Sequence, residues 1–184
     1  MSEERRQFSE RERLIADLIL NEIKRLLEEL RNFENENASD LTELDEAGIG
    51  NPVTDLRFAL TSLIEIFQEF LEFRDSEHAL RSLMALSLVS GQPEAVTDQL
   101  ATLSNSPGIG SGIRNAASSL VHSFTGFFSR LKSAIQSIST KLWTLLSNYL
   151  KLKEWSIKGT VTTPALVSLF GITAGAELQV TFEK

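Results

Sequence analysis

The chain has 184 residues, of which 42% are hydrophobic and 23% charged, which is typical of a globular protein long enough to bury a sizeable core. It has no cysteine, which excludes disulfide bonds, thiolate metal sites and cysteine nucleophiles. Its net charge of −7 argues against nucleic acid as a partner, because affinity for nucleic acid depends on cations that neutralise phosphates.

The first segment, residues 1–13, is highly charged and lacks the apolar region of a secretory signal. The chain has no apolar run long enough for a transmembrane helix. We therefore expect a cytoplasmic protein, with the inner membrane surface as a peripheral location.

A capping box is predicted at Ser9 and Glu12, because each side chain can accept a hydrogen bond from the backbone N–H of the other. Apolar residues then recur three or four positions apart, which predicts a helix to about Phe33. Residues 34–51 are acidic and poor in large apolar groups. They predict a solvated loop with about one helical turn near residues 41–46.

A second long helix is predicted over residues 52–73, with a proline at its first position and Asn51 as its cap. Three of its carboxylates, Glu65, Glu69 and Glu72, share one face. Such ladders bind metals when histidines or carboxylates of other helices converge on them. The sequence indicates no such convergence, so we interpret the ladder as a solvated face or as a docking face for a basic helix.

Asp75 and His78 lie three positions apart at a predicted helix boundary. An isolated Asp-x-x-His pattern is much weaker than the repeated Glu-x-x-His of di-iron bundles, so we interpret this pair as a solvent-facing helix boundary. The helix that follows is predicted to end at Gly91 and Pro93, because proline rarely continues a helix. A short helix is then predicted over residues 93–103.

Residues 105–112 form a glycine-rich loop before the next helix. Helix N-termini bind phosphate, but this loop lacks the Gly-Lys-Ser/Thr ending of a P-loop. We interpret Gly108, Gly110 and Gly112 as a hinge.

The next segment, residues 111–153, has no Asp or Glu and six Lys or Arg. The first 110 residues carry 10 Lys or Arg against 22 Asp or Glu. The apolar spacing predicts a long basic amphipathic helix, which suits the core of a bundle, a membrane interface or a protein partner. Its candidate contact residues for a membrane or partner are Phe124, Phe127, Phe128, Arg130, Lys132, Lys141 and Trp143.

From Trp155 the pattern changes to alternation of apolar and polar residues, and it alternates again over residues 176–182. These segments predict two strands of an antiparallel hairpin. The connection over residues 164–175 is too apolar for a free loop. It is expected to pack under the bundle, to form a third strand or to contribute contacts, and we add Trp155, Leu169 and Phe170 to the candidate contact residues.

The predicted fold class is mainly α, a four- to five-helix bundle with a C-terminal antiparallel β-hairpin. Its regions are an acidic helical region (1–110), the basic helix (111–153) and the hairpin (154–184), in one compact domain. No catalytic residue, metal or cofactor is predicted, and we expect a protein that is not an enzyme.

The predicted function is that of a self-associating homo-oligomer whose basic helix and hairpin engage an anionic membrane. It is a membrane-disrupting effector masked by its own acidic region. The alternative is a soluble scaffold or adaptor that binds a protein partner through helix faces or through the hairpin edge.

Overall fold

The structure, a computed structural model, describes residues 7–150, 152–159 and 176–182, with the side chains of residues 7–147 and of Tyr149. Over these residues the chain forms five helices and two strands, so the predicted mainly helical class is confirmed. The elements are α1 (Glu10–Glu36), α2 (Ala38–Glu46), α3 (Thr54–Phe73), α4 (Ser76–Asn105), α5 (Ser111–Leu150), β1 (Leu152–Gly159) and β2 (Ala176–Phe182).

The predicted capping box starts α1. The backbone N–H of Ser9 donates to Glu12 Oε2 at 2.8 Å, and the backbone N–H of Glu12 donates to Ser9 Oγ at 3.2 Å. After α1 the sequence predicted a loop with about one turn, whereas the structure has the nine-residue helix α2. Two buried leucines, Leu41 and Leu44, give this short acidic helix a core-facing side, which explains why it forms despite its poor apolar content.

The start of α3 differs from the prediction by two residues, because the predicted first residue, Pro52, lies in the preceding turn. Asn51 stabilises that turn, since its Oδ1 accepts from the backbone N–H of Val53 at 3.0 Å. Its amide also donates to Glu34 of α1 at 3.1 Å, and the same carboxylate pairs with Arg57 at 2.9 Å. These polar contacts join the end of α1 to the start of α3.

A cap separates α3 from α4, as the sequence predicted for this segment. Arg74 adopts the left-handed conformation (φ 53°), and its N–H donates to the carbonyl of Phe70 at 2.7 Å. Asp75 then begins α4 by accepting from the backbone N–H of His78 at 2.8 Å.

The prediction that Gly91 and Pro93 end a helix is wrong, because α4 continues through both residues to Asn105. Proline inside a helix costs about 3 kcal/mol, since it removes a hydrogen bond and crowds the preceding turn. Burial offsets that cost here. The buried residues around the proline include Leu83, Leu86, Leu88, Val89 and Val96. α4 is therefore a central helix that is covered by α3 on one side and by α5 on another.

The core is formed where α1, α2 and α4 pack against the apolar face of α5 and α3 covers α1 and α4. The ring of Phe33 in α1 lies 5.7 Å from that of Phe124 and 5.8 Å from that of Phe127. The buried residues of α5 are Ala116, Ala117, Leu120, Phe124, Phe127, Leu131, Ala134, Ile135, Ile138, Leu142, Leu145 and Leu146. No helix within the described part of the chain is both long and apolar enough to cross a membrane.

The two strands pair antiparallel, with Trp155 opposite Val180 and Ile157 opposite Leu178. Both strands lie against α4. The apolar connection over residues 164–175, which includes Leu169 and Phe170, lies outside the described residues.

Candidate membrane or partner contact surface

The aromatic residues predicted for contact lie on the inner side of α5. Phe124 and Phe127 have exposed fractions of 1% and 2%, and they pack on Phe33 of α1. Phe128 and Trp143 are half-buried and pack against the same core. With α5 in this position, a membrane or a partner cannot reach the two buried rings, so their use as a contact site requires α5 to leave the bundle.

The predicted contact residue Lys141 is held by α1. Its Nζ donates to Glu22 Oε2 at 2.9 Å and to Ser137 Oγ at 2.5 Å. Ser137 in turn donates to the same carboxylate oxygen at 3.3 Å. All three side chains are partly buried, so one carboxylate of α1 receives a cation and a hydroxyl that lie one turn apart on α5.

A second contact between these helices joins Arg130 to Glu29, with 3.5 Å between Nε and Oε2. Arg25, one turn earlier on α1, approaches the other oxygen of Glu29 at 3.3 Å through its own Nε. Glu29 Oε2 is buried and accepts no hydrogen bond within the described part of the chain. The contact with Arg130 is therefore an ion pair without a hydrogen bond.

The third predicted cation, Lys132, faces α4 instead of α1. Its Nζ lies 4.0 Å from Glu94 and 5.1 Å from the centre of the Phe128 ring. The two charged side chains are 58% and 50% exposed, so this pair contributes little to stability.

The acidic ladder of α3 is not what receives the basic helix. Glu69 pairs with Arg81 of α4 at 2.9 Å, and Glu65 and Glu72 are exposed. Of the two interpretations of the ladder, the solvated face agrees with the structure and the docking face is wrong. The carboxylates that meet the cations of α5 come from α1 and α4, because those helices are its neighbours in the bundle.

Asp75 and His78 contact each other at the boundary of α3 and α4. His78 Nδ1 lies 2.7 Å from Asp75 Oδ1, and the imidazole stacks on Phe73 at 4.6 Å. Burial raises the pKa of Asp75, but the hydrogen bonds from the His78 backbone and side chain outweigh it, so this pKa lies below its usual value. Among the residues that the structure describes, no three His, Asp or Glu side chains are grouped closely enough to hold a metal ion.

The predicted hinge glycines have two different settings. Gly108 and Gly110 lie in the link between α4 and α5, where a Cβ atom would meet nothing within 4 Å. Gly112 lies in the first turn of α5, where a Cβ atom would stand 2.8 Å from Glu43 Oε1 of α2. Gly108 and Gly110 therefore lie between helices, as a hinge requires, whereas Gly112 lies within α5, where only the exposed Glu43 side chain would have to shift for a larger residue. The hinge role stays a prediction.

Two hollows flank Arg130 along the outer groove between α1 and α5. The larger, of about 500 Å³, is lined by Glu29, Asn32, Phe33, Glu36, Asn37, Ser123, Phe127 and Arg130. The smaller, of about 400 Å³, is lined by Glu22, Arg25, Ser129, Arg130, Ser133 and Ala134. The sequence indicated the polar side of α5 but not its neighbours Arg25 and Glu29, because only the packing of α1 on α5 brings them there.

The remaining predicted contact residues lie in the C-terminal segment. The backbone of Trp155 is part of β1, and its side chain lies outside the described part, as do Leu169 and Phe170. Comparison of the chain with protein-family models, with curated proteins and with solved structures finds no match.

Proposed function

We propose that this is a non-enzymatic membrane-binding protein that stores its binding helix inside its own bundle. The observation that carries the proposal is the double role of α5. The helix has no acidic residue, its bulky apolar side is buried in the core, and three of its cations pair with carboxylates of α1 and α4. A helix with this composition binds an anionic interface when its apolar face is released.

Apolar burial, not charge, holds α5 in the bundle. An exposed or partly exposed ion pair contributes about 1 kcal/mol or less, whereas full burial of one Leu or Phe side chain contributes about 1.5–3 kcal/mol. α5 buries Leu120, Phe124, Leu131, Leu142 and Leu145, among others. Only a surface that buries the same side chains again, such as the acyl boundary of a bilayer, can replace the core.

The hairpin and self-association belong to the same proposal. The C-terminal hairpin adds Trp155 and the apolar residues 164–175 to the lipid contact. It leaves α4 together with α5, because it follows α5 directly in the chain. Several released copies then assemble on the inner surface of the membrane and disrupt it. The exposed link containing Gly108 and Gly110 provides the rotation that α5 needs.

A cross-link between α1 and α5 tests the mask. Glu22 Oε2 and Ser137 Oγ lie 3.3 Å apart, and the chain has no native cysteine, so a Glu22→Cys/Ser137→Cys variant offers a single pair of thiols to a short bismaleimide. Before reaction with the bismaleimide, this variant is expected to release dye from vesicles of phosphatidylcholine and phosphatidylglycerol. The cross-linked variant is expected to release much less, because its α5 cannot leave.

The matched control is Ser137→Cys/Thr140→Cys, whose cross-link lies within α5 and does not join it to α1. This control should release dye with and without the reagent. Equal dye release by the first variant before and after cross-linking would show that release does not require α5 to leave the bundle. If no form releases dye, the proposed membrane function is wrong.

A second candidate function, a scaffold that binds a protein partner, is favoured by two exposed leucines on α1. Leu14 and Leu18 lie one turn apart with exposed fractions of 60% and 45%. The outer edges of the two strands offer a further route, by strand addition. Sedimentation over a range of concentrations tests self-association, and a mass that rises with concentration and is unaffected by vesicles favours this function.

A further inference from the structure

The smaller hollow between α1 and α5 collects the chemical groups that bind phosphate. We call it the phosphate groove; its lining is Glu22, Arg25, Ser129, Arg130, Ser133 and Ala134. We propose that the phosphate groove binds a phosphate group through the guanidinium groups of Arg25 and Arg130 and the hydroxyls of Ser129 and Ser133, while α5 is still packed in the bundle.

Both arginines line the groove, and their terminal nitrogens are not used by the contacts with Glu29. Each approaches Glu29 through Nε alone, at 3.3 Å for Arg25 and 3.5 Å for Arg130, and their side chains are 68% and 66% exposed. Within the described part of the chain, the Nη atoms of both have no hydrogen-bond partner. A guanidinium binds a phosphate through two parallel N–H groups. Each of the two arginines can therefore donate such a pair of hydrogen bonds to the anion.

The two serines of the groove have hydroxyls that the helix backbone does not use, in contrast to several other Ser and Thr residues of α5. The hydroxyls of Thr125, Ser139 and Thr144 donate to carbonyls one turn earlier, at 2.8–3.1 Å. Ser129 and Ser133 are exposed and, over the residues that the structure describes, make no such bond. Their hydroxyls lie one turn apart and remain available to a phosphate oxygen.

The carboxylates of the groove do not cancel its positive charge. Glu22 is engaged by Lys141 at 2.9 Å, and among the described residues Glu29 is the only carboxylate paired with Arg25 and Arg130. These three cations face two carboxylates, which leaves one positive charge. Glu29 Oε2 accepts no hydrogen bond from Arg130. A phosphate has more acceptor oxygens than this carboxylate, so Arg130 gains hydrogen bonds when it turns toward a phosphate.

A lipid headgroup and a free phosphate have this chemistry in common. If the phosphate belongs to a lipid, the groove is the first point of contact with a membrane, and this part of the inference rests on the proposed function. Binding of free phosphate does not depend on that function. When Arg130 turns to a lipid phosphate, α5 loses its ion pair with Glu29 of α1. Binding in the phosphate groove therefore favours release of α5 at the surface that receives it.

The test measures binding of inorganic phosphate by the full chain, from NMR shifts of the arginine Nε–Hε signals. In parallel, it measures co-sedimentation with phosphatidylcholine vesicles that contain phosphatidic acid. Arg25→Gln and Arg130→Gln are each expected to weaken phosphate binding about tenfold, because each removes charge-assisted hydrogen bonds. The matched control, Arg31→Gln, removes an exposed arginine of α1 outside the groove and should bind as the native chain does.

If Arg25→Gln and Arg130→Gln weaken both phosphate binding and vesicle binding, the proposal is supported and the phosphate belongs to a lipid headgroup. Loss of phosphate binding, with no vesicle binding by any form, supports the groove with a free phosphate as its ligand. Absence of phosphate binding by the native chain, or equal weakening by Arg31→Gln, overturns it. Dye release by the cross-linkable variant separately tests the membrane function, so failure of one proposal is distinguishable from failure of the other.

Discussion

At the scale of single residues, Asp75 shows most clearly how one side chain starts a helix. Its carboxylate accepts from the backbone N–H of His78 at 2.8 Å and caps α4. We expect Asp75→Ala to lower the free energy of unfolding by about 1 kcal/mol, because a free N–H at the helix start loses its acceptor. Asp75→Asn keeps an acceptor and should lose less. Urea unfolding at neutral pH measures both differences.

The same residue predicts a pH dependence. The pKa of Asp75 is lower in the folded chain than in the unfolded chain. Its charge therefore stabilises the fold above the unfolded pKa of about 3.9, and this contribution is lost as the pH falls through the folded pKa. The stability difference between the native chain and Asp75→Asn should shrink on acidification. A difference that stays constant would contradict the assignment.

Phe127 tests whether the apolar face of the basic helix contributes to the core. It is 2% exposed and stacked on Phe33 at 5.8 Å. We expect Phe127→Ala to cost about 3–5 kcal/mol in urea unfolding, because truncation of a buried ring leaves a cavity, and Phe127→Asp to prevent folding. Phe58 of α3 is 49% exposed, so Phe58→Asp is a control that should change stability by about 0.5 kcal/mol or less.

At the scale of elements, the contact of α1 with α5 depends on one partly buried carboxylate. Glu22 is bonded by Lys141 and Ser137. We expect Glu22→Gln to lower the free energy of unfolding by about 1–2 kcal/mol, because a hydrogen bond to a charged group is lost. Glu28→Gln makes the same change at an exposed position of α1 that has no hydrogen bond or ion pair within the described residues, and should have little effect. Denaturant unfolding of the two variants compares them directly.

α4 shows how an element departs from its local pattern. Gly91 and Pro93 indicate a helix end by the usual rules, and the residues before and after them still form one helix. The apolar residues on both sides of Pro93 are buried between neighbouring elements, and their burial outweighs the local cost. Local propensity describes an isolated segment, so it misses a helix that is stabilised by what surrounds it.

At the scale of the whole molecule, the division of charge has a structural counterpart. Residues 1–110 carry a net charge of −12, and the first four helices come from this part of the chain. Three of the acidic helices, α1, α2 and α4, pack on the basic one, and carboxylates of α1 and α4 meet its cations. Attraction between the two parts favours the packed arrangement, while the core provides most of the free energy that keeps it.

The sequence by itself determined the features that depend on near neighbours along the chain. It predicted the capping box at Ser9 and Glu12, the boundary at Asp75 and the helical spacing of α1, α3 and α5. These features follow from hydrogen bonds and periodicities that span only a few residues. The hairpin, the function and the partners stay predictions.

Only the tertiary structure decided which groups meet across the bundle. It buried Phe127 and paired Lys141 with Glu22 in place of the acidic ladder of α3. It also brought Arg25 and Arg130 to one groove. An amphipathic pattern defines an apolar face but not what covers it, because several apolar surfaces satisfy the same face. The order in which helices pack selects the carboxylate that each cation reaches.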